Sequence, residues 1–157
     1  MPNSSLLRRF DQIDIAIASF MRRHGTYLLR WSIGIVFIWF GALKYTPYSP
    51  AADLVASTVT LIPRHIFLPI LATWEVLIGI CLIVRPLVRV AIALLFAQMG
   101  GTFLPLVLLP HVCFTHIPWA PTIEGQYILK NLVIIAAALV IGGSVRDPDE
   151  AHPITYE

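Results

Sequence analysis

The chain has 157 residues, 57% of them hydrophobic and 13% charged, whereas a soluble domain carries roughly a quarter charged residues. Composition therefore argues against a water-soluble globule, and a chain of this length is expected to form one domain. The formal net charge of +2 is spread over dispersed Lys and Arg rather than a basic stripe, which excludes a nucleic-acid footprint. Two cysteines without a CxxC pair supply neither a disulfide scaffold nor a thioredoxin-like motif.

In chain order, Leu6, Phe10, Ile13, Ile17 and Phe20 recur at three- and four-residue steps, while Arg8, Asp11 and Arg22 fall elsewhere on the wheel. Residues 1–25 thus read as a cytoplasmic amphipathic helix, lying on the inner leaflet or docking a partner subunit, with Gly25 breaking it before the membrane. A bilayer core about 30 Å thick needs roughly 20 apolar residues as a helix. Four stretches meet that requirement, at about 27–43, 67–84, 90–109 and 127–144. The first is not a cleavable signal peptide by its pattern: it lies well inside the chain, lacks a small-x-small site and runs into Lys44 and Tyr45. The expected fold is an all-α membrane protein, a four-transmembrane-helix bundle over residues 26–145 with a cytoplasmic tail at 146–157.

Between the first two spans, Ser49 can cap a short helix, Pro50 suits its first position, Asp53 suits its positive end, and Pro63 would stop it. Leu54, Val55, Thr58, Leu61 and Ile62 give it an apolar face, so it is expected to rest as a lid on the bundle or the outer leaflet. Ala93, Ala97 and Gly101 form a small-xxx-small row on the third span, and Ala138 with Gly142 does so on the fourth. Such rows are packing faces, within the chain or at a homodimer seam.

Basic residues set the orientation, because loops rich in Lys and Arg stay cytoplasmic. Arg8, Arg9, Arg22, Arg23, Arg30, Arg85, Arg89 and Arg146 fall on one side, and Lys44, Arg64 and Lys130 on the other. Both termini are therefore expected in the cytoplasm. Tyr27 and Trp31 mark the inner aromatic belt, and Tyr45, Tyr48, Trp119 and Tyr127 the outer one.

Polar residues within spans are the functional candidates, since an unpaired charge in hydrocarbon costs at least ~2.5–3.5 kcal/mol. At ~1.5 Å per residue, Glu75 lies ~15 Å from Arg85 and Gln98 ~13–14 Å from Arg89, both near the midplane, with Lys44 and Lys130 higher, at ~21 and ~24 Å. One cluster is expected in the outer half: Glu75, with Lys44 and Lys130 as counter-ions and Gln98, Thr102 and Asn131 as hydrogen-bond partners. Its carboxylate could exchange protons with a bound ring such as a quinone headgroup, or the pair could do no more than fix helix register. A rival constellation in the second outer connection, His111, Cys113 and His116 with His65 on the same side, has chelate-like spacing for zinc or copper. A loop whose histidines face water is the plainer expectation, and no metal is assigned. Haem-attachment, phosphate-loop and nucleophile-elbow motifs are absent.

Three ordered segments carry a resemblance: Phe40-Gly41-Ala42-Leu43-Lys44-Tyr45-Thr46-Pro47-Tyr48, Trp74-Glu75-Val76-Leu77-Ile78-Gly79, and Glu124-Gly125-Gln126-Tyr127-Ile128-Leu129-Lys130-Asn131-Leu132. Over residues 27–145 the chain resembles the DoxX-like superfamily of small bacterial inner-membrane proteins, most nearly the branch containing the reactive-chlorine-resistance membrane protein. That resemblance implies a four-helix bundle with both termini inside. It also implies a role in envelope redox or oxidative-stress defence, since some relatives are subunits of a thiosulfate:quinone oxidoreductase. The CxxC of the more distant vitamin K epoxide reductases is missing. Cys81 is expected near the inner boundary and Cys113 in an outer loop, which disfavours thiol–disulfide chemistry. Two functions follow as expectations: an accessory or quinone-interacting component, working with a redox partner subunit or as a homodimer and without enzymatic activity of its own, or a non-catalytic scaffold or assembly factor. A transporter is weaker, because four spans without a broken helix pair leave little room for alternating access.

Overall fold

The computed structural model describes residues 4–49, 52–59 and 62–145, with side chains along the first helix from Phe10 onward. Pro50, Leu61, Arg146, the tail, and the side chains of Leu6, Arg8 and Arg9 lie outside the described residues. The elements in chain order are α1 (Ser4–Leu43), α2 (Ala52–Thr58), α3 (Arg64–Ile83), a 3-10 turn (Arg85–Leu87), α4 (Val88–Leu108), α5 (Pro110–Cys113), β1 (Phe114–His116), β2 (Ala120–Pro121), α6 (Ile123–Leu129) and α7 (Asn131–Gly143). Four helical segments are long and apolar enough to cross a membrane: Phe10–Leu43, Arg64–Ile83, Arg85–Leu108 and Ile123–Gly143. The chain is thus a multi-pass membrane protein with a four-helix, essentially all-α fold.

The helix α1 runs through Gly25, contrary to the expected stop. A helix-ending glycine takes a positive φ, and no glycine here has one. An isolated glycine costs only about 1 kcal/mol within a helix, less than breaking the ladder on both sides. The Phe20 and His24 rings stack at 4.5 Å just before it, and His24 Nδ1 lies 3.1 Å from the Phe20 carbonyl. At 1.5 Å per residue the 40 residues of α1 span about 60 Å, twice the hydrocarbon thickness. Its first half therefore extends past the bundle with Phe10, Ile13, Ile17 and Phe20 exposed.

Within the bundle α1 packs along α3, and α4 lies between α3 and α7. The α1–α3 approach depends on glycine. A Cβ on Gly79 would lie 2.5 Å from the Gly34 carbonyl oxygen and 2.6 Å from Ile38 Cγ1, and one on Gly41 would lie 3.0 Å from the Ala72 carbonyl oxygen. Close backbone approach is how helices associate in lipid, where segregating apolar side chains gains nothing. The core beside this seam comprises Phe37, Ile78, Leu82, Ala91, Leu95, Met99 and Ala138.

The small-residue rows divide. Ala138 is buried and a Cβ on Gly142 would meet Ile92 Cδ1 at 3.2 Å, so the row on α7 packs within the chain. Ala93, Ala97 and Gly101 are exposed, and a Cβ on Gly101 would meet nothing. Helix α4 instead turns Ala91, Leu95 and Met99 inward, so its small row is not a packing face within this chain.

Pro63 does not stop α2, which ends at Thr58; it precedes α3, and its carbonyl accepts from Ile66 and Phe67 N–H at 2.9 and 3.0 Å. At the other end the Ser49 carbonyl accepts from Ala52 N–H at 3.2 Å. The helix α2 rests on α3 and α4, so the lid lies on the bundle. The second long connection is not a plain loop. After α5, β1 and β2 pair antiparallel, Phe114 opposite Pro121 and His116 opposite Ala120. The Thr122 hydroxyl then caps α6, accepting from Gly125 N–H at 3.2 Å and donating to the Val112 carbonyl at 2.7 Å. Any Cβ on Gly125 would strike the Cys113 carbonyl. The fourth span therefore starts at Ile123, ahead of the expected Tyr127, and is interrupted at Lys130.

Candidate functional site

Glu75 sits mid-way along α3, one turn before Gly79, on the face turned to α1 and α4. The antiparallel α1–α3 seam carries Lys44, just past the end of α1, to it: Lys44 Nζ donates to Glu75 Oε2 at 2.5 Å, with side-chain exposures of 7% and 12%. The other carboxylate oxygen, Oε1, accepts from Gln98 Nε2 at 2.9 Å. Three helical segments thus converge on one carboxylate. A buried pair with this geometry is costly to break, about 3–5 kcal/mol, because the surviving charge is left uncompensated.

The remaining expected members are placed around the trio without bonding to the Glu75 carboxylate. Thr102 Oγ1 donates to the Gln98 carbonyl at 3.1 Å. Asn131 Nδ2 donates to the Ile128 carbonyl at 2.9 Å, bridging the break between α6 and α7. Lys130 is exposed and forms no ion pair among the described residues. All six line one partly open cavity of about 950 Å³, bordered by α1, α2, α3, α4 and the α6–α7 helix. A concave, mostly apolar space with a few convergent polar groups is the usual form of a small-molecule site.

Aromatic residues supply much of the cavity wall: Phe37, Phe40, Tyr48, Phe67, Trp74 and Tyr127. Sequence reasoning placed Tyr48 and Tyr127 in a membrane belt and assigned no role to Phe40 and Trp74. Phe40 and Tyr127 lie 6.5 Å apart by ring centroids, and Trp74 is fixed by its Nε1–H donating to the Leu94 carbonyl at 3.2 Å. The three-residue step from Gln98 to Gly101 and the adjacency of Trp74 to Glu75 were the available signals. On the neighbouring surface, the Tyr45 and Thr73 hydroxyls are hydrogen-bonded at 2.6 Å, which secures the end of α1 to α3.

The His and Cys candidates are not brought together. His65, His111 and His116 are exposed whereas Cys113 is fully buried beneath the hairpin, and no three His, Cys, Asp or Glu side chains converge on a metal-sized site among the described residues. Burial, and then the negative charge of Glu124, push the Cys113 thiol above its ordinary pKa, which keeps it a poor nucleophile. Cys81 and Cys113 are both free.

No family model, curated protein or solved structure matches the chain. The fold and site define a membrane protein of four spans with a partly open cavity and, among the described residues, one buried ion pair at its wall.

Proposed function

We propose that this chain binds the headgroup of a lipid-soluble quinone and serves as an accessory component of envelope redox defence in a bacterial inner membrane, in keeping with its resemblance to the DoxX-like superfamily. The observation that carries this reading is the Lys44–Glu75–Gln98 trio, buried at bilayer depth and opening on a cavity walled by aromatic rings. A packing core has no need of such a space, and a quinone ring suits it: a flat apolar body with polar edges. Basic residues favour an orientation with both termini cytoplasmic, which places the cavity in the periplasmic half.

The test is to purify the protein in lipid nanodiscs, extract it with organic solvent and quantify quinone by mass spectrometry, alongside Glu75→Gln and Lys130→Met. Near-stoichiometric quinone in the wild type, lost in folded variants, supports the reading; empty wild-type protein refutes it. A second reading, a scaffold without a ligand, draws on the same trio, since Glu75 ties the α1 end, α3 and α4 together. It predicts that Glu75→Gln lowers the yield of folded protein and alters nothing else.

A further inference from the structure

Helix α1 is uninterrupted from Ser4 to Leu43, so its first half cannot turn to lie flat on a leaflet while its second half crosses the bilayer. At ~1.5 Å per residue the stretch from Arg23 to Lys44 already measures about 30 Å, the whole hydrocarbon thickness. Phe10, Ile13, Ile17 and Phe20 therefore stand beyond the lipid tails, and each is about half exposed or more. Their steps of three, four and three residues make one seam, while Asp11, Gln12, Ser19 and Arg22 occupy the opposite face.

The seam does not face this chain's own bundle. Phe10, Ile13 and Ile17 precede Leu28, Trp31 and Ile35 by 18 residues, five full turns, and so share their direction. Leu28, Trp31 and Ile35 are exposed on the outside of the bundle, whereas Gly34 and Gly41 turn toward α3. A partner helix can thus lie along the seam and continue beside α1 without meeting α3.

We propose that the seam pairs with the same seam of a second copy of this chain, as a parallel two-stranded coiled coil. Copies inserted in one membrane in the same orientation run parallel, so like positions meet around a two-fold axis along the membrane normal. Asp14 and Arg23 flank the seam on opposite sides, and in such a pair the acidic edge of one copy runs along the basic edge of the other. The area is sufficient. With Met21 beside it, also exposed, the seam offers five large apolar side chains at on the order of 100 Å² each. Two copies bury about 1,000 Å², which is what a specific interface requires.

The test introduces single cysteines into the full chain in native membranes, Ile17→Cys on the seam and Ser19→Cys opposite, and oxidises them with copper phenanthroline. Wild type sets the background from Cys81 and Cys113. Both positions are exposed and lie outside the bundle, so neither change threatens the fold. Ile17→Cys should give a covalent dimer several-fold above background, and Ser19→Cys none above it. By multi-angle light scattering in detergent, wild type should have the protein mass of two chains, and Ile13→Glu combined with Ile17→Glu the mass of one. Equal cross-linking at both positions, none at Ile17→Cys, or a mass that the paired glutamates leave unchanged overturns the pairing. The cavity lies at the other end of α1, so this pairing and the quinone reading fail independently.

Discussion

The two ends of the bundle are built from the same helices on opposite terms. Toward the Arg85–Leu87 turn, Gly34 and Gly79 bring α1 and α3 into backbone contact and Ile78, Leu82, Leu95 and Ile141 are sealed off completely. Toward α2, the same helices hold a buried ion pair and a cavity of about 950 Å³. Lipid offers no hydrophobic drive for helix association, so close packing at one end is what holds the helices. The other end is thereby free to carry polar groups and empty space. Backbone contact and a sealed core characterise the first region, a buried ion pair and a cavity the second.

Substitutions should separate the two. The largest loss is expected from Gly79→Leu, whose side chain has no space against the Gly34 carbonyl and Ile38; folded protein should disappear from size-exclusion profiles. Leu82→Ala, which leaves a cavity at a fully buried position, should cost about 2–5 kcal/mol in unfolding measurements and leave ligand affinity unchanged in the folded fraction. Lys44→Met strands Glu75 and should lower stability by about 3–5 kcal/mol, and Glu75→Gln, whose amide offers a single acceptor to two donors and leaves the buried Lys44 ammonium uncompensated, should cost a similar amount and lose the ligand.

Cys113 probes the loop end in a different way. Because burial and Glu124 raise its pKa, the folded state holds the thiol proton more tightly than the unfolded chain does. Its contribution to stability is present below the ordinary thiol pKa and fades as pH rises above it. Iodoacetamide labelling of the native protein should be negligible at neutral pH and become complete on unfolding. The smallest effect belongs to Asp53→Ala. The Asp53–Arg64 pair spans 2.7 Å but is 84% and 55% exposed, so its loss should change the melting free energy by no more than about 1 kcal/mol.

The four spans were legible because hydropathy over some twenty residues is a strong signal, and the site was legible because Glu75, Lys44 and Gln98 are the kinds of residue lipid does not tolerate unpaired. The helix seam was not. Attention fell on Ala93, Ala97 and Gly101, whereas the contact is made by Gly34, Gly41 and Gly79, spread over two helices whose register only the folded chain reveals. Gly25 misled because a glycine ends a helix only where the following chain turns away, and here the helix continues. The hairpin of β1 and β2 is too short to show an alternating pattern. The break at Lys130 is a local geometry that Asn131 stabilises by bonding back to the Ile128 carbonyl.

The central claim is that the Lys44–Glu75–Gln98 trio is a ligand site and not a second packing core. It is tested most directly by the thermal unfolding of wild type and Glu75→Gln in nanodiscs, with and without saturating decyl-ubiquinone. A ligand at a hundred times its dissociation constant stabilises the folded state by about 2.7 kcal/mol. The account predicts an upward shift of that size in the wild type and none in Glu75→Gln. An equal shift in both proteins, or no shift in either, would contradict it.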